Sequence, residues 1–482
     1  MDGSPADILL ISEVQYLPFY RPFAQRLKEL GFHPAWVAVD GLDAWPHPYV
    51  DAREVVETLV SAPQLELPGQ DALDLDALSR FERRVFADPE VFRRIYAYTM
   101  EVVRTPERAP GLAMAWARLT WGLIAAYRPR AVFVWNGRYL PYRAILEACA
   151  RVGQPAFTNE IGWVPGTVFV DRGPLSPDTT DLMGRNWETA TPPAADLQRA
   201  NAFLQAYTTQ KATMVAKGDM PSPVEARQRF LGQDGKFLLF YACQVDWDTN
   251  VVIGAHRYST NASAVEFLRK CVEAVPGGRL VVKTHPLDTV DQTETLRQVV
   301  GDRGVVVSDI HAHALIEAAD AVAVRNSTVG FEALCYGKPL LLLERSKYAH
   351  AALTYQPPDV AAGRDALTRI ATGSASRPHS DALRHFVLHL LDRYLVPLGY
   401  DYFFERGALS ILDHFQHSQA FDRLGEVLRA PISLQRACPP DAAAVSAVHQ
   451  LRWQPAIGGK RSWLETGKAA LRAALSSTSS ER

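Results

Sequence analysis

Between residues 237 and 343 the chain alternates short apolar runs with stretches of helical period, a pattern that few architectures satisfy. The apolar runs predict strands over Phe237–Tyr241, Leu280–Lys283, Val305–Val307, Ala321–Val324 and Pro339–Leu343. The intervening stretches predict helices over Ala262–Val275, Thr293–Val300, Ala312–Ala318 and Thr328–Tyr336. Strands separated by helices in this way form a parallel sheet covered on both faces. The same grammar opens the chain, with a strand at Ile8–Ile11, a helix over Pro22–Leu30 closed by Gly31, and a strand at Ala35–Val39. It returns in a strand at Ala131–Trp135, a helix over Tyr142–Val152 and a strand at Pro155–Thr158.

At 482 residues the chain exceeds what one core usually holds. The stretch KGDMPSPV, Lys217–Val224, has the Gly and Pro content of a linker. The expected architecture is therefore α/β with two Rossmann-like domains facing across a cleft: 1–216, 217–380, and C-terminal helices with a basic tail over 381–482. An Asp-, Glu- and Arg-rich segment, roughly Asp51–Arg108, is expected to be helical.

A formal charge of -2, from 51 basic and 53 acidic residues without a long basic run, excludes a nucleic-acid partner. The five cysteines, Cys149, Cys243, Cys271, Cys335 and Cys438, lack C-x-x-C spacing and are expected to be reduced core thiols. The N-terminus lacks the pattern of a signal peptide, and no apolar stretch reaches the ~18 to 20 residues of a membrane span. The expected location is the cytoplasm. The tail offers two readings, a solvated helix packed on the body or a peripheral membrane contact through Trp463, Leu464, Leu471 and Leu475, flanked by Lys460, Arg461, Lys468 and Arg472.

Four motifs fall at predicted strand ends, where open parallel sheets bind ligands. VVKTHP places Lys283 and His285 at one such end, and both suit a phosphate. RNSTVGFEALCYGKP places Arg325, Asn326, Ser327 and Thr328 at a strand-to-helix junction, where unpaired N–H groups and hydroxyls bind phosphate or Asn326 or Ser327 simply caps the helix. Glu332, about one turn on, can accept from ribose hydroxyls, and Gly330 would let a nucleotide approach closely. CQVDWDTN carries Asp246 and Asp248, which suit a metal-binding D-x-D, a carboxylate nucleophile or a solvated turn. In NEIGWVPGT, Glu160 follows the strand at Pro155–Thr158 and would face Asp248 across the cleft. It serves there as general acid or base, with Trp163 burying it, or as a helix N-terminal carboxylate.

These motifs, with NGRYLPYRAILEACARVGQPAFTNEIGWVPGT, resemble the capsule polysaccharide biosynthesis family of bacterial β-Kdo transferases that use CMP-Kdo. The resemblance spans roughly residues 130 to 345. It implies a GT-B fold and a retaining transfer without metal or other cofactor, from a CMP-sugar donor to a glycan or lipid-linked glycan acceptor. It makes Asp248 the nucleophile, with Asp246 its rival, and Glu160 the acid or base. Lys283, His285, Ser327 and Thr328 would bind the CMP phosphate, Glu332 the ribose, and Gln244 would orient the donor. Arg325 and Asn326 are placed with them on the donor side. Contact with the inner membrane or with polysaccharide assembly proteins would be peripheral. Two other readings share the scaffold: a sugar-nucleotide epimerase or hydrolase, and a non-catalytic assembly scaffold.

Overall fold

The computed structural model describes residues 6–12, 17–38, 49–51, 109–138, 141–173, 187, 191–213, 218–232, 234–246, 248, 250–251, 256–286, 288, 290–374, 380–398 and 410–431. They form two α/β lobes. In the N-terminal lobe the strands are β1 (Ile8–Ser12), β2 (Pro34–Ala38), β3 (Tyr49–Asp51), β4 (Ala131–Trp135), β5 (Ala156–Ile161) and β6 (Thr167–Arg172). Its helices up to β6 are α1 (Leu17–Glu29), α2 (Ala109–Tyr127) and α3 (Tyr142–Val152). Next come α4 (Ala194–Gln210) and α5 (Pro223–Leu231), and then the second lobe. That lobe runs β7 (Phe237–Ala242), α6 (Asn261–Val272), β8 (Gly278–Lys283), α7 (Thr293–Val300), β9 (Gly304–Val307) and α8 (Ala312–Ala318). It continues through β10 (Ala321–Val324), α9 (Thr328–Cys335), β11 (Leu340–Leu342), α10 (Val360–Ala371) and α11 (Ser380–His389).

Both sheets share one plan. The C-terminal sheet has the order β11-β10-β7-β8-β9, all parallel, and the N-terminal sheet contains the corresponding parallel run β5-β4-β1-β2-β3. In each, strand order reverses beside the lobe's first strand, which opens a crevice at the carboxyl ends of β7 and β10. Strand β7 is buried on both faces: Leu238 and Phe240 join one core, Phe237, Leu239 and Tyr241 another. That follows from period-two alternation in a sheet covered by helices.

The N-terminal sheet is not purely parallel. Strand β6, absent from the sequence reading, pairs antiparallel with β5, and β12 (Val396–Pro397) pairs antiparallel with β6. The chain thus returns to the first lobe, where α12 (Ala420–Arg429) sets Phe421, Leu424 and Leu428 into the N-terminal core. The Pro-Ser-Pro of the expected linker forms, in part, the start of α5. Ser222 caps that helix in a capping box with Glu225, and Pro223 occupies its first turn. Helix α1 begins at Leu17, so Pro22 lies inside it rather than at its start. Burial of Phe19, Tyr20 and Phe23 outweighs the hydrogen bond that proline cannot make.

The lobes meet through Trp163, just beyond β5. Its ring stacks on Phe331 of α9 with centroids 5.2 Å apart, and it also packs against Phe169, Tyr348 and Phe386. Cys149, Cys243, Cys271 and Cys335 are free and buried; Cys438, the expected helical segment before residue 109 and the basic tail lie outside the described residues. No helix among the described residues is long and apolar enough to cross a membrane. Trp163→Ala removes the aromatic plug between the lobes and should lower unfolding stability by about 3–5 kcal/mol, the usual range for a buried Trp truncation. Equilibrium denaturation measures this, and a loss under about 1 kcal/mol would contradict the assigned packing.

Candidate functional site

The carboxyl ends of β7, β8 and β10 converge, and the sequence-selected residues there divide into a buried layer and a more open one. The buried layer is centred on Arg325, which leaves β10 with its side chain fully enclosed. Its Nη2 donates to Asp246 Oδ1 at 2.7 Å, to Asn261 Oδ1 at 3.0 Å and to the Gln244 carbonyl at 3.2 Å. Its Nη1 donates to the carbonyls of Tyr258 and Ser259. Asp246 Oδ1 also accepts the backbone N–H of Asn261, the first residue of α6. Burial pushes the Asp246 carboxyl up, against the opposing pull of Arg325.

Arg325 is therefore a clamp inside the protein and not a donor-binding residue. Gln244 and Asn326 answer each other across the crevice. Gln244 Nε2 donates to Asn326 Oδ1 at 2.8 Å, Gln244 Oε1 accepts the Asn326 N–H at 3.0 Å, and Asn326 Nδ2 donates to the Asn250 carbonyl. These bonds join the ends of β7 and β10. Asp246 Oδ1 is held by Arg325 and Asn261, while 26% of its side chain stays exposed.

Asp248 belongs to the open layer. It is partly exposed, and its Oδ1 accepts the backbone N–H of Asn250 at 2.7 Å. His285, just past β8, lies within electrostatic reach of it. Burial lowers the His285 imidazole below the ordinary histidine value, Lys283 adds to that, and Asp248 and Asp288 oppose it. The Lys283 ammonium donates to the Ser308 carbonyl at 2.9 Å. Ser327 caps α9 by accepting the Val329 N–H at 3.2 Å, leaving its hydroxyl proton to be directed elsewhere. Thr328 follows as the first residue of the helix and is partly exposed. Lys283 is thus buried beside His285, Asp248 lies within electrostatic reach of that histidine, Ser327 and Thr328 stand at the start of α9, and Glu160 lies on the N-terminal lobe.

Glu332 faces inward. Its carboxyl is buried, with Oε1 accepting from Thr213 Oγ1 at 2.7 Å and Oε2 3.5 Å from His313 Nε2. Burial raises the Glu332 carboxyl to about 7 and lowers the His313 imidazole to about 3, so below neutral pH the contact joins two uncharged groups, while His313 Nδ1 meets the Tyr336 hydroxyl at 2.7 Å. The ribose role assigned to Glu332 is therefore corrected, because its turn of α9 points into the protein. Gly330 is corrected with it. A Cβ there would strike the Tyr348 hydroxyl, so the glycine makes room for packing and not for a nucleotide.

Glu160 lies within β5, not beyond it, and its Oε2 accepts from Arg138 Nη2 at 2.9 Å. Trp163 packs into the opposite lobe, and Arg138 is what holds Glu160. Sequence reasoning passed over Arg138 and Asp288, although Arg138 stands inside the quoted NGRYLPYR motif. The loop that delivers it is tight, with positive φ at Asn136 and Gly137, and Asn136 Oδ1 accepts the Arg138 N–H.

Residues 198–378 match the family model described as capsule polysaccharide biosynthesis protein. The matched segment contains the strand-end residues from Gln244 to Glu332 and leaves Arg138 and Glu160 outside. Solved structures similar to the chain include KpsC of Thermosulfurimonas dismutans, described as a β-Kdo 2,7 transferase (19% identity, 62% of this chain and 85% of that one, TM-score 0.39). A second is the β-Kdo 2,4 transferase of the same organism's KpsC (18% identity, 53% and 78%, TM-score 0.40). UDP-GlcNAc 2-epimerase of Neisseria meningitidis matches at 10% identity over 87% of this chain and 99% of that one, with a TM-score of 0.34. Among curated proteins no sequence match was found.

Glu332 generates a stability test. A carboxyl group that holds its proton more tightly folded than unfolded favours folding at acid pH, and that advantage disappears as pH rises from its ordinary value of 4.5 to about 7. Glu332→Gln cannot ionise, so its stability relative to the natural protein should rise across this window by up to about 3 kcal/mol. Denaturation at pH 5 and pH 8 measures the difference. A constant offset between the two proteins would contradict a protonated Glu332.

Proposed function

We propose that this capsule-family protein is a glycosyltransferase that moves a Kdo-type 2-keto sugar acid from a CMP-sugar to a glycan or lipid-linked glycan acceptor, with retention of the β configuration. The observation that carries this reading is the convergence of Asp248 with His285 and Lys283 at the carboxyl ends of adjacent parallel strands, beside the capped N-terminus of α9.

Each group has a role there. The Asp248 carboxylate attacks the anomeric carbon, the bond to the CMP phosphate breaks, and the phosphate leaves with the electron pair. Lys283, His285, the Ser327 and Thr328 hydroxyls and the positive end of α9 meet its charge, without metal or cofactor. The acceptor hydroxyl then attacks the Asp248 adduct, its proton passes to Glu160, and the Asp248 carboxylate is released. Two displacements give retention. The depressed His285 has a further consequence: a bound phosphate favours the imidazolium, so nucleotide binding takes up a proton and tightens as pH falls. Attachment to a membrane or an assembly complex would be peripheral.

The test is transfer from CMP-Kdo to capsule-type acceptors with two variants. Asp248→Ala should abolish transfer while nucleotide affinity stays within about threefold, a change under ~0.7 kcal/mol. His285→Ala should weaken nucleotide binding by about tenfold, near 1.4 kcal/mol, and flatten its pH dependence. A fully active Asp248→Ala protein would remove Asp248 as nucleophile, and a natural protein that consumes donor without an acceptor would point to an epimerase or hydrolase.

A further inference from the structure

A second cluster of charge lies away from the donor surface, where the lobes meet. Strands β5 and β6 pair with Glu160 opposite Phe169 and Thr158 opposite Asp171, so Glu160, Phe169 and Asp171 share one face. Lys347 reaches that face from the segment after β11, in the other lobe. Its Nζ lies 3.6 Å from Asp171 Oδ2 and 5.6 Å from the ring centroids of both Phe169 and Tyr394. The Tyr394 hydroxyl donates to the same carboxylate oxygen at 2.9 Å.

The cluster is sealed except at one member. Side-chain exposure is 2% for Arg138, 0% for Asp171 and 7% for Lys347, but 24% for Glu160. Burial lowers the Lys347 ammonium to about 8, Arg138 adds to the lowering, and Asp171 and Glu160 oppose it. A strut between lobes needs no charge, as Trp163 against Phe331 shows, and enclosing an ammonium is costly. The charge is placed on the face of a strand pair that presents a solvent-reaching carboxylate.

We propose that Lys347 is a positioning residue for Glu160. Its ammonium anchors the β5–β6 face to the C-terminal lobe through Asp171, so that lobe arrangement and the presentation of the Arg138-bound Glu160 are coupled. The proposal rests on the reading of Glu160 as the proton acceptor in transfer.

The variants are Lys347→Met and Lys347→Arg in the full chain. Lys347→Met should lower kcat at least about tenfold with donor KM within about twofold, and it should lack an alkaline inflection near pH 8 that the natural protein shows as Lys347 loses its proton. Lys347→Arg should recover most of the rate and move that inflection to higher pH, and it carries the test alone if the methionine variant does not fold. Hydrogen exchange read by mass spectrometry should show faster exchange in β5 and β6 of Lys347→Met than in the natural protein, a readout independent of turnover. Natural protein without transfer activity would defeat the transferase reading, while unchanged exchange in Lys347→Met would overturn the positioning role. A natural rate and alkaline limb in Lys347→Met would also overturn it.

Discussion

Arg325 carries a full positive charge into the interior of the C-terminal lobe, and five oxygen acceptors from the ends of β7, the 258–259 loop and the start of α6 close around it. None of these segments is a neighbour of Arg325 in sequence. Removing one partner of such a buried pair typically costs about 3–5 kcal/mol, because the remaining charge is stranded. The guanidinium therefore does more than stabilise: it fixes where the 243–248 segment runs as it leaves the sheet, and with that the place of Asp248. Glu344 anchors the other side of the same loop by accepting the backbone N–H groups of His256, Arg257 and Tyr258.

The strand ends of the C-terminal lobe thus rest on a hydrogen-bonded network. Residues that look polar and available in the sequence, Arg325, Asn326, Gln244 and Asp246, make that network. Lys283 is buried next to it, and Asp248, His285, Ser327 and Thr328 are the partly exposed residues beside it. A rigid inner layer suits a site that must present a nucleophile and neutralise a leaving phosphate without rearrangement, since preorganised groups spend no free energy reorienting during the reaction. The opposite lobe repeats the device on a smaller scale, with Arg138 holding Glu160 and Lys347 holding Asp171 behind it.

Much of this was legible in advance. The alternation of apolar runs and helical stretches yielded the parallel C-terminal sheet to within a residue or two at most strand ends, because a strand buried on both faces leaves a continuous apolar signature. The antiparallel β6 escaped, since VFVDR differs little from a parallel strand and only its pairing with β5 defines it. Motif positions were legible but side-chain directions were not. Ser327 caps the short helix that carries Glu332, and the five-residue step between them turns the two side chains to different faces, Glu332 meeting Thr213 and His313. Lys347 offered no local signal at all, because its partners Asp171 and Tyr394 are distant in sequence and belong to elements that only tertiary structure brings together.

The central claim is that the strand-end surface of the C-terminal lobe binds a CMP-sugar through protein groups. Calorimetric titration of the full chain with CMP, UDP and GDP in the presence of EDTA tests it most directly. Selective binding of CMP without a divalent cation is the expected result. Preference for UDP or GDP, or binding only when a cation is restored, would contradict it.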